Sequence, residues 1–268
     1  MVTSELDAWQ ARLDAICART AIFRRAIVLP ETLSTQDASE TRSANVGTFV
    51  TTLRQTAGRG RFGRNWADTA DAGVAVTFLV DAQPTERLVL ASAVAAAEAC
   101  ESMLGAMVGI KWPNDVVVGG RKLAGVLIER RDGLAAIGIG INVAQRAFDD
   151  ELAARATSLA IEGRGVARLD VLSALVEALS RALTAPDEAL VQAFLARDAL
   201  RGKRALFATP EGPVEGEVRS IDPMRGLVVR TDRGERFLPA ASTSVAEWGG
   251  VVRRSETLPS VLPDQRSV

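Results

Sequence analysis

The sequence contains no histidine and no tyrosine, and these absences narrow its possible chemistry. Without histidine there is no Ser-His-Asp or Cys-His catalytic group and no histidine-ligated metal site. The two cysteines, Cys17 and Cys100, are too few for a disulfide framework or a thiolate metal cage in 268 residues, and we expect both to be buried free thiols. Any catalysis must rely on carboxylates, amides, lysine, arginine and the backbone.

Long apolar runs are also lacking. The longest near-apolar run, LVLASAVAAA at residues 88–97, is too short and too rich in alanine to span a bilayer, and Glu5 and Asp7 stand where a signal peptide would be apolar. We therefore expect no membrane association and a cytoplasmic protein. The formal charge of −1 excludes the broad basic field of a dedicated nucleic-acid binder, so we expect no specific nucleic-acid partner and a local anion site.

Lysine is scarce in this chain. Of 32 basic residues only Lys111, Lys122 and Lys203 are lysines, and the first two lie close together in the sequence. Lysine carries a compact, mobile charge where arginine presents a planar fork, so a site that needs the former would retain lysine. Lys111 and Lys122 are therefore candidate site residues, and chance clustering is the alternative.

The periodicity predicts an α+β protein, with a mixed or antiparallel sheet and flanking helices, followed by a small β-barrel. We predict a helical extension at 1–25, a main domain at 26–200, a C-terminal β-domain at 201–250 and a disordered tail at 251–268. Helices are predicted at 4–25, from 34–40 onward, and at 86–107, 169–183 and 186–202. Strands are predicted at 26–30, 46–53, 73–80 and 134–143, and on both sides of a Gly119-Gly120 turn within 115–129.

The segment AGRGRFGRNW, residues 57–66, combines flexibility with positive charge. No acid occurs between Glu40 and Asp68, whereas five arginines do: Arg42, Arg54, Arg59, Arg61 and Arg64. The glycines let backbone amides approach a ligand, and the arginines can converge on carboxylate or phosphate oxygens. The segment lacks the Walker pattern, and GIGIN at 138–142 lacks GxGxxG spacing. The pattern predicts an anion-binding loop, with a short RGG-like RNA-binding segment as the alternative.

A second cluster begins with KWPND at residues 111–115 and continues with GRKLAG at 120–125. The hairpin predicted here would bring Lys111, Asp115 and Lys122 together. This set suits phosphate chemistry with Mg²⁺. The alternative is a structural Asn-Asp turn with Trp112 in the core.

Four motifs, GRGRFGRNW, KWPNDV, RKLAGVLIE and GIGINV, resemble in order and spacing the catalytic domain of monofunctional biotin protein ligases, the biotin–[acetyl-CoA-carboxylase] ligases. The resemblance covers about residues 26–200, and the C-terminal domain is similar to the SH3-like domain of that family. It implies a catalytic domain like that of class II aminoacyl-tRNA synthetases. It also implies attachment of biotin to a lysine of a biotin carboxyl carrier protein through biotinyl-5′-AMP, with ATP and Mg²⁺. Residues 1–25 are too short for the DNA-binding domain of bifunctional relatives, so we expect no repressor role.

The resemblance also implies roles for individual residues. Biotin contacts are expected from Ser34, Thr35, Gln36, Gln55, Arg59, Gly60, Arg61, Lys122 and Gly125. Nucleotide contacts are expected from Arg59, Arg61, Arg64, Trp66, Lys111, Asn114 and Asn142. Lys122, Arg61 and Asp115 are the expected catalytic residues, and Asp115 is also the expected Mg²⁺ ligand. Phe62 departs from the family, which often has a basic or polar residue there, and this puts retention of the adenylate in question.

Two alternatives remain open from the sequence. One is a lipoate or octanoate ligase of the same superfamily, against which the arginine-rich segment argues. The other is a catalytically silent binder of biotin or adenylate, or a nucleic-acid-binding module that uses the patch from Arg42 to Arg64. The expected protein partner is the carrier protein, and the chain itself is expected to be a monomer or a homodimer.

Overall fold

The computed structural model describes residues 2–63, 65–66, 71–131 and 133–248. The predicted tail at 251–268 and the predicted nucleotide-binding residue Arg64 lie outside the described residues. The chain divides between Ala199 and Leu200 into two compact units. Within the described ranges, no helix is long and apolar enough to cross a membrane.

The first unit contains six helices and nine strands within its described part. The helices are α1 (Val2–Cys17), α2 (Ser39–Ser43), α3 (Thr85–Leu104), α4 (Asp150–Ala153), α5 (Arg168–Thr184) and α6 (Asp187–Leu195). The strands are β1 (Arg25–Thr32), β2 (Thr48–Gln55), β3 (Gly58–Arg59), β4 (Asn65–Trp66), β5 (Gly73–Asp81), β6 (Gly109–Lys111), β7 (Asp115–Val118), β8 (Arg121–Arg131) and β9 (Leu134–Asn142).

Seven of these strands form one mixed sheet in the order β1-β2-β5-β9-β8-β7-β6. Only the β1–β2 pair is parallel among the described strands; the other neighbours are antiparallel. Helix α1 packs against β1, α5 against β5 and α3 against β8 and β9. The predicted α+β class, with a mixed sheet and flanking helices, is therefore confirmed.

The hairpin turn predicted at Gly119-Gly120 is also present. Both glycines have positive φ, 55° and 81°. A two-residue hairpin with left-handed backbone at both positions matches the twist of the flanking strands, and glycine adopts this conformation without steric cost. The turn joins β7 to β8, so Asp115 and Lys122 lie on neighbouring strands and the Lys122 side chain reaches the Asp115 carboxylate.

Several predicted boundaries were wrong. Helix α1 ends at Cys17 rather than near residue 25, because the chain turns where Thr20 Oγ1 donates to Phe23 O at 2.7 Å. Phe23 is then buried with Phe49 and Phe78, at ring separations of 5.9 and 4.9 Å respectively. These aromatic contacts are tertiary, so helical periodicity alone does not locate the break.

Other differences arise from short elements. Residues 34–38 form a turn, in which Asp37 and Ala38 both donate from their backbone N–H to Ser34 O, so the helix predicted from 34–40 is confined to α2. Helix α6 ends at Leu195 rather than at 202. Strand β6, with three residues, and the two-residue strands β3 and β4 are not predicted by a two-residue period.

The second unit consists of short β-strands. They are β10 (Arg204–Thr209), β11 (Gly212–Asp222), β12 (Gly226–Thr231), β13 (Gly234–Pro239) and β14 (Ser244–Trp248). They form one antiparallel sheet in the order β13-β12-β11-β10-β14, and Phe207, Val218 and Val229 are buried in it. The C-terminal β-sheet domain expected from the short strands is therefore present.

Candidate active site

The floor of the candidate site is a patch of glycine backbone on β8 and β9. Gly125 and Gly140 are direct partners in the sheet, and Gly138 lies two residues from Gly140 on the same face. The isoleucines that alternate with them in GIGIN point to the opposite face and are buried. The repeated glycines therefore leave one face of the sheet bare, and a ligand or a ring can lie flat on it.

The closed end of the pocket is built by the turn after β1. Ser34, Thr35 and Gln36 are all buried there. Gln55, at the end of β2, accepts a hydrogen bond from the Thr35 backbone N–H at 3.0 Å. Thr77 on β5 donates to Thr35 Oγ1 at 2.9 Å. Because three strands hold this turn, its side chains have fixed positions at the end of the pocket.

Gln36 is the one side chain of this turn whose polar atoms are unused. It is 3% exposed, and neither Nε2 nor Oε1 has a hydrogen-bond partner within the described ranges. Its amide group lies 3.1–3.2 Å from where a Cβ on Gly138 would stand, so it extends over the glycine floor. A buried amide without a partner costs about 1–3 kcal/mol. Gln36 therefore favours a ligand with both a hydrogen-bond donor and an acceptor.

The described part of the arginine loop, residues 57–63 and 65–66, forms another wall through Arg59, Gly60, Arg61 and Trp66. Gly58 pairs with Trp66 and Arg59 with Asn65 in the β3–β4 hairpin, and a 3-10 turn spans Arg61–Gly63. This arrangement places the Trp66 indole directly against the glycine floor. A Cβ on Gly140 would lie 2.5 Å from Trp66 Cε2, so only glycine leaves room for the ring.

Lys122, on β8, projects between a carboxylate and an indole. Its Nζ lies 2.7 Å from Asp115 Oδ1 and 5.3 Å from the centre of the Trp66 ring. Lys111 Nζ binds the other oxygen, Asp115 Oδ2, at 3.1 Å. Burial acts to raise the pKa of the Asp115 carboxyl, but the two ammonium groups outweigh it and hold the pKa below its usual range. Asp115 is therefore an ionised carboxylate that fixes both lysines.

Arg61 reaches the same region from the arginine loop. Its Nη1 donates to Asn114 Oδ1 at 3.2 Å. Asn114 is itself oriented by β8, because its Nδ2 donates to Val126 O at 2.7 Å. Arg61 and Lys122 thus both line the pocket and bring two positive groups to it.

Asn142 supports the site from behind. Its Nδ2 donates to Thr157 O at 2.9 Å and to Lys122 O at 3.4 Å. The backbone of Lys122 also donates to Arg155 O and accepts from the Thr157 N–H. Asn142 therefore joins the end of β9 to the segment at 155–157 and holds the backbone of Lys122.

The structure brings most of the predicted site residues around one pocket. Those that line it are Ser34, Thr35, Gln36, Gln55, Arg59, Gly60, Arg61, Trp66, Asn114, Lys122 and Gly125. Lys111, Asp115 and Asn142 do not line the pocket, and instead contact Lys122 or its partner from behind.

Sequence reasoning missed part of the lining. Ala75 and Val76 on β5, Val126 and Leu127 on β8, and Gly138, Ile139 and Gly140 on β9 complete the pocket. The two-residue spacing of glycine in GIGIN was the available signal for the last of these, because two glycines on one face of a central strand indicate a close approach. No comparable signal marks β5, whose residues form an ordinary buried strand.

The described residues contain no group of three or more histidine, cysteine, aspartate or glutamate side chains that could hold a metal ion. Cys17 and Cys100 are both buried free thiols, as expected. Burial raises the pKa of Cys17 to about 11 and that of Cys100 to about 12, so both stay protonated at neutral pH. Neither is a nucleophile for this pocket.

The fold and the pocket define an α+β domain that binds a small molecule at a glycine-floored sheet under an arginine loop. The chain belongs to the Biotin/lipoate A/B protein ligase family, which its residues 28–145 match. The family resemblance predicted from the four motifs is therefore confirmed.

Individual relatives agree with this assignment. The biotin--[acetyl-CoA-carboxylase] ligase of Mycobacterium tuberculosis is 34% identical over 214 residues, which cover 74% of this chain and 78% of that protein. The bifunctional ligase/repressor BirA of Bacillus spizizenii is 38% identical over 143 residues, 49% of this chain, and this match spans only 44% of the relative. A solved structure of biotin protein ligase from Aquifex aeolicus in complex with biotin and ATP has a TM-score of 0.75 and 30% identity, and the match covers 83% of this chain and 99% of that one.

Proposed function

We propose that this protein is an ATP-dependent biotin ligase. In the first step a carboxylate oxygen of biotin attacks the α-phosphorus of ATP, the α–β phosphoanhydride bond breaks, and pyrophosphate leaves. In the second step the neutral amine of a lysine on a biotin carboxyl carrier domain attacks the acyl carbon of biotinyl-5′-AMP. AMP leaves with the bonding electrons, and the amine loses a proton as the amide forms.

The observation that carries this proposal is that Arg61 and Lys122 line the same pocket as the Gln36 amide, which has no hydrogen-bond partner among the described residues. A carboxylate and a phosphate repel each other, so their reaction requires cations that approach both. Arg61 supplies a planar guanidinium fork and Lys122 supplies a compact ammonium group in the pocket. Preorganised charge usually contributes more to such catalysis than any other single effect. Phosphoryl chemistry needs little covalent help from protein, which agrees with the absence of histidine.

The Gln36 amide favours biotin over lipoate or octanoate. The ureido ring of biotin offers both donors and an acceptor, whereas a dithiolane ring or an alkyl chain offers neither to the amide. A ligand without them leaves both polar atoms of Gln36 unpaired, at a cost of about 1–3 kcal/mol. Ser34 and Thr35 remain proposed biotin contacts beside it, as does Gln55.

Mg²⁺ would arrive bound to ATP, whose phosphates supply several of its ligands. Asp115 is the proposed protein ligand, and one of its two lysine contacts would have to be exchanged for the ion. When bound, the ion would neutralise phosphate charge. The residues therefore fit an ion carried by the nucleotide rather than a resident metal centre. Lys111 and Asn142 act through Lys122 and Asp115 in this proposal, and Asn114 orients Arg61 beside the nucleotide.

The arginine loop would also protect the intermediate. A mixed anhydride is hydrolysed by water, and a loop that covers it excludes solvent until the carrier lysine enters. Trp66, on the floor glycines, closes the side of the pocket near Lys122. The nucleic-acid alternative is disfavoured by charge pairing, because Arg42 and Arg59 contact Asp37 and Arg54 contacts Glu31.

The decisive experiment is exchange of labelled pyrophosphate into ATP with biotin, lipoate or octanoate as the acid. We expect exchange with biotin and little with the other two, and transfer of labelled biotin to an isolated carrier domain. Exchange driven by lipoate or octanoate alone, or by no acid, rejects the proposal. Arg61→Ala should reduce exchange, whereas Cys100→Ala, at a buried thiol outside the pocket, is the matched control.

A further inference from the structure

Arg59, the first arginine of the arginine loop, is bound by two carboxylates. Its Nε lies 2.8 Å from Asp37 Oδ2, and its Nη2 lies 3.1 Å from Asp37 Oδ1. The same Nη2 lies 2.9 Å from Glu129 Oε2. The two contacts with Asp37 form a paired fork, which is the most directional geometry available to arginine and a carboxylate. The guanidinium is therefore engaged by protein groups.

A second arginine completes the cluster. Arg131 Nη2 lies 3.2 Å from Asp37 Oδ1 and 3.2 Å from Glu129 Oε2. Two cations and two anions thus alternate, so the carboxylates that would repel each other are each shared by both guanidinium groups. We call these four residues, Asp37, Arg59, Glu129 and Arg131, the arginine latch. Ion pairs in a network of this kind contribute more to stability than isolated exposed ion pairs do.

The latch joins three separate parts of the pocket wall. Asp37 lies in the turn at 34–38, directly after the buried Gln36. Glu129 and Arg131 lie at the far end of β8, the strand that also carries Lys122. Arg59 lies in β3, two residues before Arg61 in the same loop. Arg59 therefore connects the loop that carries Arg61 both to Asp37 and to the end of β8.

We propose that Asp37, Glu129 and Arg131 are positioning residues that hold the arginine loop over the pocket through Arg59. Arg61 and Lys122, not the Arg59 guanidinium, then face the acid and the phosphate. The consequence for catalysis rests on the proposed function, but the position of the loop does not. A loosened latch lets the adenylate escape from the site and lowers the fraction transferred to the carrier.

Loop closure is measured on the full chain by limited trypsin digestion without substrates, with cleavage after Arg59 and Arg61 identified by mass spectrometry. Glu129→Gln and Asp37→Asn should raise the cleavage rate by roughly three- to tenfold, because loss of ion pairs increases local opening. Glu31→Gln is the matched control, since Glu31 pairs with Arg54 at 3.3 Å outside the latch. In 1 M salt the Debye length falls to about 3 Å, and the difference between native protein and variants should narrow.

A double-mutant cycle tests whether Glu129 holds the arginine loop through Arg59. Cleavage after Arg61 should rise in Arg59→Ala, and the addition of Glu129→Gln should cause no further rise. Equal rates in Glu129→Gln, Asp37→Asn and the Glu31→Gln control overturn the proposal. An equal rise after Arg181, which lies on the exposed side of α5 in the same unit, means general unfolding and also overturns it.

The catalytic consequence has its own measurement. Without carrier, Glu129→Gln should release roughly three- to tenfold more biotinyl-5′-AMP into solution than native protein, while pyrophosphate exchange changes by less than about threefold. A release rate equal to that of Glu31→Gln overturns the catalytic part. If native protein performs no exchange but the proteolysis differences appear, the latch stands and the proposed function fails.

Discussion

Asp115→Asn tests how strongly one carboxylate organises the pocket. The change keeps the shape of the side chain but removes the charge that Lys111 and Lys122 share at 3.1 and 2.7 Å. The Asp115 and Lys111 side chains are 13% and 18% exposed, whereas that of Lys122 is 37% exposed. Loss of a partner costs about 3–5 kcal/mol in a buried pair and less than about 1 kcal/mol in an exposed one, so we expect about 2–3 kcal/mol here.

The assay is thermal and urea denaturation of the native protein and the variant. For a chain of this size the loss corresponds to a fall in Tm of about 5–10 °C. Glu177→Gln is the control, because Glu177 pairs with Arg19 at 2.8 Å with side chains that are 42% and 67% exposed. We expect the control to change stability by less than about 1 kcal/mol.

The pH dependence of the difference has a definite sign. The folded-state pKa of Asp115 lies below its usual range, so its contribution is fully present above the unfolded pKa of about 3.9 and is lost as pH falls through the folded value. The gap between native protein and Asp115→Asn should stay constant from about pH 7 to pH 5 and shrink below about pH 4. Equal stability at neutral pH, or a gap that widens with acid, would refute the reasoning.

Three further predictions concern the pocket and the thiols. Lys122→Ala should slow biotin-dependent pyrophosphate exchange by about 10²–10³-fold, and an unchanged rate removes the catalytic assignment. Gln36→Leu should weaken biotin binding by about tenfold or more but leave lipoate binding nearly unchanged, as measured by calorimetry; equal losses for both ligands contradict the role of the amide. Burial raises the pKa of Cys100 to about 12 and that of Cys17 to about 11, so both thiols should resist alkylation by iodoacetamide at pH 8 in the native protein. Rapid alkylation with loss of pyrophosphate exchange contradicts this prediction.

Much of the fold is predictable because long elements carry strong periodic patterns. Helices α3 and α5 and strands β5 and β9 lie within a few residues of their predicted positions. The end of α1 was not predictable in this way, because the burial of Phe23 against Phe49 decides it. Such contacts join residues that are distant in the sequence.

The sequence predicted which residues belong to the candidate site better than it predicted which side chains contact one another. Motif position and charge indicated Arg61 and Lys122, and both line the pocket. The predicted hairpin also indicated that Lys111, Asp115 and Lys122 lie together, whereas nothing in the sequence revealed that Arg59 is paired with Glu129. Glu129 lies in an ordinary charged run of the sequence, and only the tertiary structure places it beside Arg59.

Where Trp66 contacts the glycine floor, two kinds of residue shape the pocket. Its base, at Gly125 and Gly140, belongs to the middle of a sheet, and a Cβ on either glycine would collide with Trp66 or Lys122. An aromatic side chain from the arginine loop, that of Trp66, covers part of this base. A smaller residue in place of Trp66 would admit acids with bulky substituents on their tails while the strands keep their geometry. Substrate range can therefore diverge through one position whose replacement leaves the core packing intact.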